Sequence, residues 1–205
     1  MTDRSPLGER RLLGRIRQAL ESGVDWIQLR EKQTPTNELL RFAERVLQLP
    51  RNNDQKIILN DRLDLALTCG FDGVHLGGTS FPAGIVRKNV PAGFIVGVSV
   101  HHVDEALIAE REGVDYVLFG PVFPTPSKMK YGPAQGVQKL QALVLKLSIP
   151  VLAIGGISLA NYQQCLEAGA AGIAAISLFQ NSRSIKEVIL KMRSRKSPGR
   201  LHRSS

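Results

Sequence analysis

One short phrase occurs four times in this chain, and it limits the folds that the chain can form. Each copy begins with glycine and leads from a helix-like stretch into a run of strand-forming residues. Glycine tolerates the positive φ at which many helices end, so each copy is typical of a loop between a helix and a strand. The copies are Gly23-Val24-Asp25-Trp26, Gly70-Phe71-Asp72-Gly73, Gly113-Val114-Asp115-Tyr116 and Gly169-Ala170-Ala171-Gly172. The repeat predicts a chain of successive βα units.

Length and composition favour one domain. The chain has 205 residues, of which 43% are apolar, and this is enough for one buried core. We therefore predict a single domain over residues 1–190. The two cysteines lie far apart in the sequence, which predicts no disulfide framework and a cytoplasmic location. The longest run of small and apolar residues, 168–179, is too short and too rich in glycine to span a bilayer, so we expect no membrane contact.

The formal net charge of +9 is concentrated at the carboxyl end of the chain. Six basic residues and no acidic residue lie in the last fifteen positions, 191–205. A basic tail can bind nucleic acid, but no aromatic residue stands among these cations. We predict a disordered, solvated tail over residues 191–205 and no nucleic-acid partner. Whether the chain forms a homo-oligomer stays open.

The hydrophobic pattern predicts strands that alternate with helices along the chain. Strands are predicted over residues 26–30, 56–60, 73–76, 94–98, 116–119, 151–154 and 172–176. Helices are predicted over residues 9–22, 36–48, 63–69, 82–88, 103–112, 137–147, 159–168 and from about 184 onward.

This alternation is compatible with a doubly wound α/β sheet or with a small (β/α)8 TIM barrel. Several strands read as continuous apolar runs, which is typical of parallel strands buried on both faces. Seven strands favour the barrel with one strand missing, and a barrel begins with a strand, whereas here a helix comes first. We therefore predict a TIM barrel whose first strand is truncated, and we expect a strand of about five residues before Met1.

Catalytic residues of such a barrel lie just after the strands, at their carboxyl ends. At the end of the first strand, the alternation of side chains would place Gln28, Arg30 and Lys32 on one side. This amide and the two cations would suit a polyanion. The alternative is a charged strand end exposed to water. Asn60-Asp61 follows the second strand and offers oxygen ligands to a divalent cation, or caps a helix.

Further candidates follow the later strands. His75 lies near the end of one strand, and Ser99 with His101 follows the next. Either histidine could take part directly in the chemistry or simply pack or cap, because a single histidine is more often structural. The loop from Gly120 to Lys128 carries hydroxyls and a cation and would act as a binding lid or as a long surface loop. Gly155-Gly156 and Ile176-Ser177 follow the last two strands, where barrels often bind phosphate, although a glycine pair can also serve packing.

Taken together, these motifs resemble those of thiamine phosphate synthases and of the related thiazole tautomerases. The resemblance rests on Met1-Thr2-Asp3-Arg4, Gln28-Leu29-Arg30-Glu31-Lys32, Asn60-Asp61, Gly73-Val74-His75-Leu76-Gly77, Gly97-Val98-Ser99, Gly120-Pro121-Val122-Phe123-Pro124-Thr125, Lys128 and Ala153-Ile154-Gly155-Gly156-Ile157. It implies a reaction that joins a hydroxymethylpyrimidine diphosphate to a thiazole phosphate, with release of pyrophosphate. The implied partners are small phosphorylated substrates.

The resemblance also implies roles for individual residues. Direct chemistry would involve Arg30, Lys32, Ser99 and Lys128, with His101 as a proton-transfer residue in the tautomerase branch. Substrate binding would involve Gln28 on the pyrimidine, with Arg30, Lys32 and Asn60 on its diphosphate and Ser99 beside the leaving group. It would also involve Thr125, Ser127 and Lys128 in the mobile loop and Gly156 with Ser177 on the thiazole phosphate. His75, Gly155 and Ile176 complete the substrate-binding residues. Asp61 would bind Mg²⁺.

One position departs from the pattern of that family. Ser80 stands where the family has a second magnesium carboxylate, and a neutral hydroxyl is a weaker ligand for Mg²⁺. The tautomerase lacks metal carboxylates, so the departure keeps that activity as an alternative, together with a non-catalytic phosphate-binding relative. Asp61, Lys32 and the complete loop from Thr125 to Lys128 favour the synthase.

Overall fold

A computed structural model describes residues 1–3, 7–31, 33–125 and 133–194 of the chain. The strands are β1 (Trp26–Leu29), β2 (Lys56–Asn60), β3 (Gly73–Leu76), β4 (Ile95–Val100), β5 (Tyr116–Phe119), β6 (Val151–Ile154) and β7 (Gly172–Ala174). The helices are α1 (Glu9–Glu21), α2 (Thr36–Leu47), α3 (Leu63–Cys69), α4 (Ala83–Lys88), α5 (Val103–Arg111), α6 (Gly136–Val144), α7 (Tyr162–Glu167), α8 (Ser177–Gln180) and α9 (Ile185–Ser194). Helices and strands alternate as predicted.

The seven strands form one parallel sheet in chain order, from β1 to β7. Helices separate successive strands, so each crossover returns the chain to the same end of the sheet. The sheet curves as an open half-barrel of the TIM type, and within the described residues β1 and β7 do not pair with each other. The predicted α/β class is confirmed, whereas the described residues do not form a closed eight-stranded barrel.

The repeated glycine phrase forms the predicted loops between helices and strands. Its four glycines, Gly23, Gly70, Gly113 and Gly169, all have positive φ, between 80° and 91°. In two copies the aspartate that follows also anchors the neighbouring strand at its amino end. Asp72 accepts a hydrogen bond from the Ile57 N–H at 2.7 Å, and Asp115 accepts one from the Val96 N–H at 2.7 Å.

Arginines neutralise these aspartates at the amino ends of the strands. Arg51 pairs with Asp72 at 2.6 Å, and Arg87 pairs with Asp115. Both aspartates therefore have a backbone donor and a cationic partner. This end of the sheet serves stability, because the polar groups there are paired with one another.

A groove runs between β7 and β1, the two edges of the sheet. It has a volume of about 530 Å³, and residues 1–3 lie at its carboxyl end. The Thr2 N–H donates to the Gln28 carbonyl at 2.9 Å, and the Met1 amino nitrogen lies 3.4 Å from the Ala175 carbonyl oxygen. Apolar side chains line much of the rest: Leu12, Ile16, Ile58, Leu152, Ile173, Ile189 and Met192.

The carboxyl end of the chain differs from the prediction in two places. The last strand ends at Ala174 rather than at residue 176, because the backbone turns there into the short helix α8, which the sequence pattern did not predict. Helix α9 continues to Ser194, so residues 191–194 of the predicted disordered tail are helical. Arg193 binds the Gly23 carbonyl at 2.6 Å and so ties α9 to the first repeat. Residues 195–205 of the predicted tail lie outside the described residues.

No helix within the described ranges combines the length and the apolar character that crossing a membrane requires.

Candidate active site

A chain of hydrogen bonds joins the polar residues at the carboxyl ends of β1 and β2. The Gln28 side-chain amide donates to Asn60 Oδ1 at 2.8 Å. The Asn60 amide in turn donates to Asp61 Oδ2 at 2.5 Å. All three side chains are half-buried, so they are held in place yet accessible from the rim of the half-barrel. The structure thus brings these three predicted site residues together.

Asp61 sits at a strained position with φ 62°, the one positive φ among the described residues other than glycine. Its Oδ1 accepts a hydrogen bond from the Gly77 N–H at 3.1 Å and another from the Ser80 hydroxyl. Ser80 therefore occupies the place beside Asp61 where the resemblance expects a second carboxylate. The described residues contain no cluster of three or more His, Cys, Asp or Glu side chains suited to a metal. A cation here would have one carboxylate and neutral oxygens.

Arg30 follows directly on β1, which ends at Leu29. Its N–H donates to the Thr2 hydroxyl oxygen at 2.9 Å, and that hydroxyl donates to a Glu31 carboxylate oxygen at 2.9 Å. Thr2 thus fixes the backbone that carries the predicted diphosphate-binding cation. Sequence reasoning missed Thr2, and its place in the Met1-Thr2-Asp3-Arg4 motif is the signal that could have found it.

Two of the predicted cations, Lys32 and Lys128, lie outside the described residues, and so does Ser127. The alternation predicted for Gln28, Arg30 and Lys32 stops with the end of β1 at Leu29. Thr125, which is within the described residues, is half-buried.

His75 lies inside the half-barrel and is only 1% exposed. Its Nδ1 is 2.9 Å from the Tyr116 hydroxyl, and its Nε2 is 2.8 Å from the Ser99 hydroxyl. Burial lowers the pKa of His75 to about 4, so the imidazole is neutral near pH 7. Burial likewise raises the pKa of Tyr116, which keeps its proton. Tyr116 is a site residue that the sequence analysis did not single out.

We expect stability to fall in acid partly through His75. Histidine in the unfolded chain gains a proton near pH 6.5, whereas His75 in the folded protein gains one only near pH 4. Between these values the unfolded state binds more protons, so the free energy of unfolding falls by about 1.4 kcal/mol per pH unit as the pH drops. The stabilisation is fully present above pH 6.5.

Urea unfolding of the wild type and of His75→Asn at several pH values between about 4.5 and 7 measures this effect. Other acidic groups titrate in both proteins, so the difference between the two pH slopes isolates His75. The wild type should lose stability more steeply, and equal slopes would contradict the prediction.

His101 lies on the exposed rim rather than in the interior. Its Nδ1 is 2.5 Å from the Gly120 carbonyl oxygen. A carbonyl only accepts, so Nδ1 carries a proton, and Nε2 has no hydrogen-bond partner among the described residues. Glu105 accepts a hydrogen bond from the His101 backbone N–H at 2.6 Å and fixes the start of α5. His101 and His75 thus belong to separate hydrogen-bond groups.

The glycine turn after β6 packs against the loop that follows β5. Gly156 has φ 64°, and a Cβ atom there would lie 2.5 Å from the Pro124 carbonyl oxygen. The Phe123 N–H donates to the Gly155 carbonyl at 3.0 Å and holds the two loops together. Both packing and backbone conformation therefore require glycine at position 156. The phosphate-binding interpretation of Gly155-Gly156 and the packing interpretation are both compatible with this arrangement.

The end of β7 lies beside this glycine turn. Ile154 of β6 is in register with Ala174 of β7, so the two strands end at the same rim. Ile176 precedes α8, and Ser177 is the exposed first residue of that short helix. The predicted phosphate-binding residues thus gather on the rim formed by β6 and β7.

A parallel half-barrel with polar side chains on its carboxyl rim and a glycine turn after its penultimate strand is typical of enzymes that bind phosphorylated small molecules. A family model described as thiamine monophosphate synthase matches residues 1–179. The chain belongs to this family.

Individual relatives support the same assignment. The chain is 48% identical over 161 residues to a thiamine-phosphate synthase of Chlorobium phaeovibrioides, covering 78% of this chain and 77% of the relative. It is 47% identical over 161 residues to a thiamine-phosphate synthase of Methanocella arvoryzae, with 78% and 76% covered. The solved structure of a thiamine phosphate pyrophosphorylase from Pyrococcus furiosus superposes with a TM-score of 0.83 at 35% identity, covering 94% of this chain and 91% of that one. These matches confirm the predicted family and its transferase activity.

Proposed function

We propose that this chain joins a hydroxymethylpyrimidine diphosphate to a thiazole phosphate and releases pyrophosphate and thiamine phosphate. The observation that carries the proposal is the hydrogen-bonded row of Gln28, Asn60 and Asp61 next to Arg30. The row offers two amides and a carboxylate, and Arg30, directly after β1, adds a cation at the same rim. The rim of β6 and β7, with Gly156 and Ser177, supplies a separate place for the second phosphate.

The reaction exchanges one bond for another. The thiazole ring nitrogen attacks the pyrimidine methylene carbon, so a C–N bond forms while the C–O bond to the diphosphate breaks. The electron pair leaves with pyrophosphate, whose growing negative charge needs preorganised cations. Arg30 supplies one of them, and we assign Lys32 and Lys128 as the others from the family pattern.

Gln28 is suited to hold the pyrimidine. Its amide nitrogen donates one N–H to Asn60, so we assign its carbonyl oxygen as the acceptor toward the substrate. An amino group on the pyrimidine is the matching donor. The hydrogen bond to Asn60 would thereby orient the Gln28 amide toward the pyrimidine ring.

The donor set beside Asp61 fits Mg²⁺ with one protein carboxylate. Mg²⁺ usually keeps several waters and binds through one or two carboxylates plus substrate phosphates. Asp61 would hold the ion, with the Ser80 hydroxyl oxygen nearby and with water and the substrate diphosphate completing the ligands. When bound, the ion would neutralise negative charge on the diphosphate.

A product assay with both substrates, with and without Mg²⁺, tests the proposal. Magnesium-dependent release of pyrophosphate together with thiamine phosphate is expected. Replacing Ser80 by Asp should lower the Mg²⁺ concentration for half-maximal turnover by about tenfold, because the added charge strengthens the site. Asp64→Asn on the exposed face of α3 is the matched control. Absence of product from the folded protein would refute the proposal.

The tautomerase remains the second candidate because His101 presents a free Nε2 at the rim. That activity predicts a metal-independent isomerisation of a carboxythiazole phosphate, and it predicts that His101→Ala abolishes it. Cations and a carboxylate for a diphosphate would have no purpose in such a reaction. The same preparation assayed with the thiazole substrate alone therefore separates the two activities.

We also propose that the complete fold is an eight-stranded barrel closed by a strand continuous with Met1. The groove between β7 and β1 has two free strand edges within the described structure, and its lining is largely apolar. Thr2 already pairs with Gln28 at one end of this groove. Backbone leading into Met1 would therefore continue along β1.

We place the enzyme in the cytoplasm. Cys69 and Cys165 are both free thiols, which suits a reducing compartment. Burial raises the pKa of the Cys165 thiol to about 11, so it stays protonated and unreactive.

A further inference from the structure

We propose that Tyr116 is a positioning residue that acts through His75 to make the Ser99 hydroxyl a hydrogen-bond donor toward the substrate. The proposal rests on the proposed synthase function for the identity of that substrate, a pyrimidine diphosphate. Its structural part, the direction of the hydrogen bonds, can be tested on the free protein.

The packing of three neighbouring strands brings Tyr116 to His75. His75, Gly97 and Tyr116 are register neighbours on β3, β4 and β5. Because Gly97 has no side chain, the tyrosine ring lies across β4 and reaches the imidazole. A Cβ atom on residue 97 would lie 2.1 Å from two carbons of that ring, closer than any real contact. Glycine at position 97 thus makes the contact possible.

The burial of Tyr116 sets the direction of its hydrogen bond to His75. Tyr116 is buried, at 4% exposure, and His75 Nδ1 is its one hydrogen-bond partner among the described residues. If Nδ1 carried a proton, the tyrosine O–H would be a buried donor without an acceptor, which is unfavourable. Tyr116 therefore donates, and Nδ1 accepts.

The neutrality of the buried imidazole sets the direction of its hydrogen bond to Ser99. A neutral ring with an unprotonated Nδ1 carries its proton on Nε2. Nε2–H then donates to Ser99 Oγ, 2.8 Å away. The hydroxyl proton of Ser99 is not used by His75 and is free to donate to another acceptor.

The surroundings of Ser99 determine where its hydroxyl proton can be donated. Asn60 is the register neighbour of His75 and belongs to the row of polar residues on the rim. Ser99 is half-buried near the carboxyl end of β4, so its free proton is available to an acceptor of the bound substrate. His75 cannot remove this proton, because its Nε2 is already a donor. Ser99 thus acts as a donor and not as an activated nucleophile.

The direct test is the tautomer of His75, measured by ¹⁵N NMR on the free protein labelled at histidine. A protonated Nε2 and an unprotonated Nδ1 are expected in the wild type. Tyr116→Phe removes the donor to Nδ1, so this preference should be lost. A protonated Nδ1 in the wild type, or an unchanged spectrum in the variant, would overturn the proposal. Neither measurement needs substrate, so failure of the proposed function would not affect it.

The kinetic test uses Tyr116→Phe in the synthase assay. We expect kcat to fall about tenfold, with KM changed by less than about twofold, because a directed donor is lost while the binding groups remain. The matched control is Tyr162→Phe, which removes another buried tyrosine hydroxyl, one that contacts the Lys191 carbonyl at 3.4 Å on α9. The control should retain wild-type kinetics.

A double variant distinguishes positioning from general damage. Ser99→Ala combined with Tyr116→Phe should be no slower than Ser99→Ala alone, since Tyr116 acts only through the serine. If the two losses multiply instead, Tyr116 acts independently of Ser99 and the proposal is wrong. Circular dichroism and thermal unfolding confirm that each variant is folded before it is assayed.

Discussion

Replacing Arg30 by Ala should lower kcat/KM for the synthase reaction by about 10²- to 10³-fold. Arg30 directly follows β1, the strand that carries Gln28 of the polar row, and its backbone is fixed by Thr2. A cation held in place before the reaction stabilises charge on the departing pyrophosphate without reorganisation, and the loss of one such group has effects of this size. Steady-state kinetics with the diphosphate substrate varied gives the measurement.

Arg45→Ala is the matched control for this experiment. Arg45 lies on α2, away from the rim, where it pairs with Glu9 on the exposed surface. An exposed pair of this kind contributes little to stability, so the control should keep wild-type turnover. If Arg30→Ala turns over like the control, the assignment of Arg30 to the diphosphate is wrong. Inhibition by added pyrophosphate should weaken in Arg30→Ala alone.

Supplying a strand before Met1 should stabilise the protein by about 3 kcal/mol. An extension of about five apolar, strand-forming residues would pair with β1 and β7 and fill the groove. Burial of its apolar side chains and new backbone hydrogen bonds to β1 and β7 should together exceed the entropy lost on ordering by an amount of this order. For a chain of this length the melting temperature should rise by about 6–12 °C.

An extension of equal length made of glycine and serine is the control. It adds chain without side chains to bury, and it should leave the melting temperature unchanged. Hydrogen exchange gives an independent readout, because amides of β1 and β7 should become protected only with the strand-forming extension. Equal melting temperatures for both extensions would contradict the closed barrel.

Much of the fold could be predicted because the information is local. Each strand is a short apolar run, and each repeated glycine marks the loop before the next strand. The end of β7 was predicted two residues too late, because Ala175 and Ile176 continue the apolar pattern while the backbone already turns toward α8. Apolar character alone does not distinguish a strand from a short buried turn.

The candidate site could be predicted only where it lies at strand ends. Gln28, Asn60 and Asp61 follow from that rule, and the structure joins them by hydrogen bonds. Tyr116 begins its strand and contacts a residue 41 positions away, so no local pattern indicates its role. The absence of a side chain at Gly97 is what allows this contact, and such absences carry no signal of their own in a single sequence.

The aspartate–arginine pairs at the amino ends of the strands affect which substitutions this chain can tolerate. Asp72 and Asp115 fasten the sheet at the end opposite the rim, so these anchors of the framework do not involve the polar residues of the rim. Substitutions on the rim should therefore cost little in folding. Ser80, which stands where the resemblance expects a carboxylate, lies on the rim beside Asp61, and this separation would leave the rim free to vary while the framework is kept.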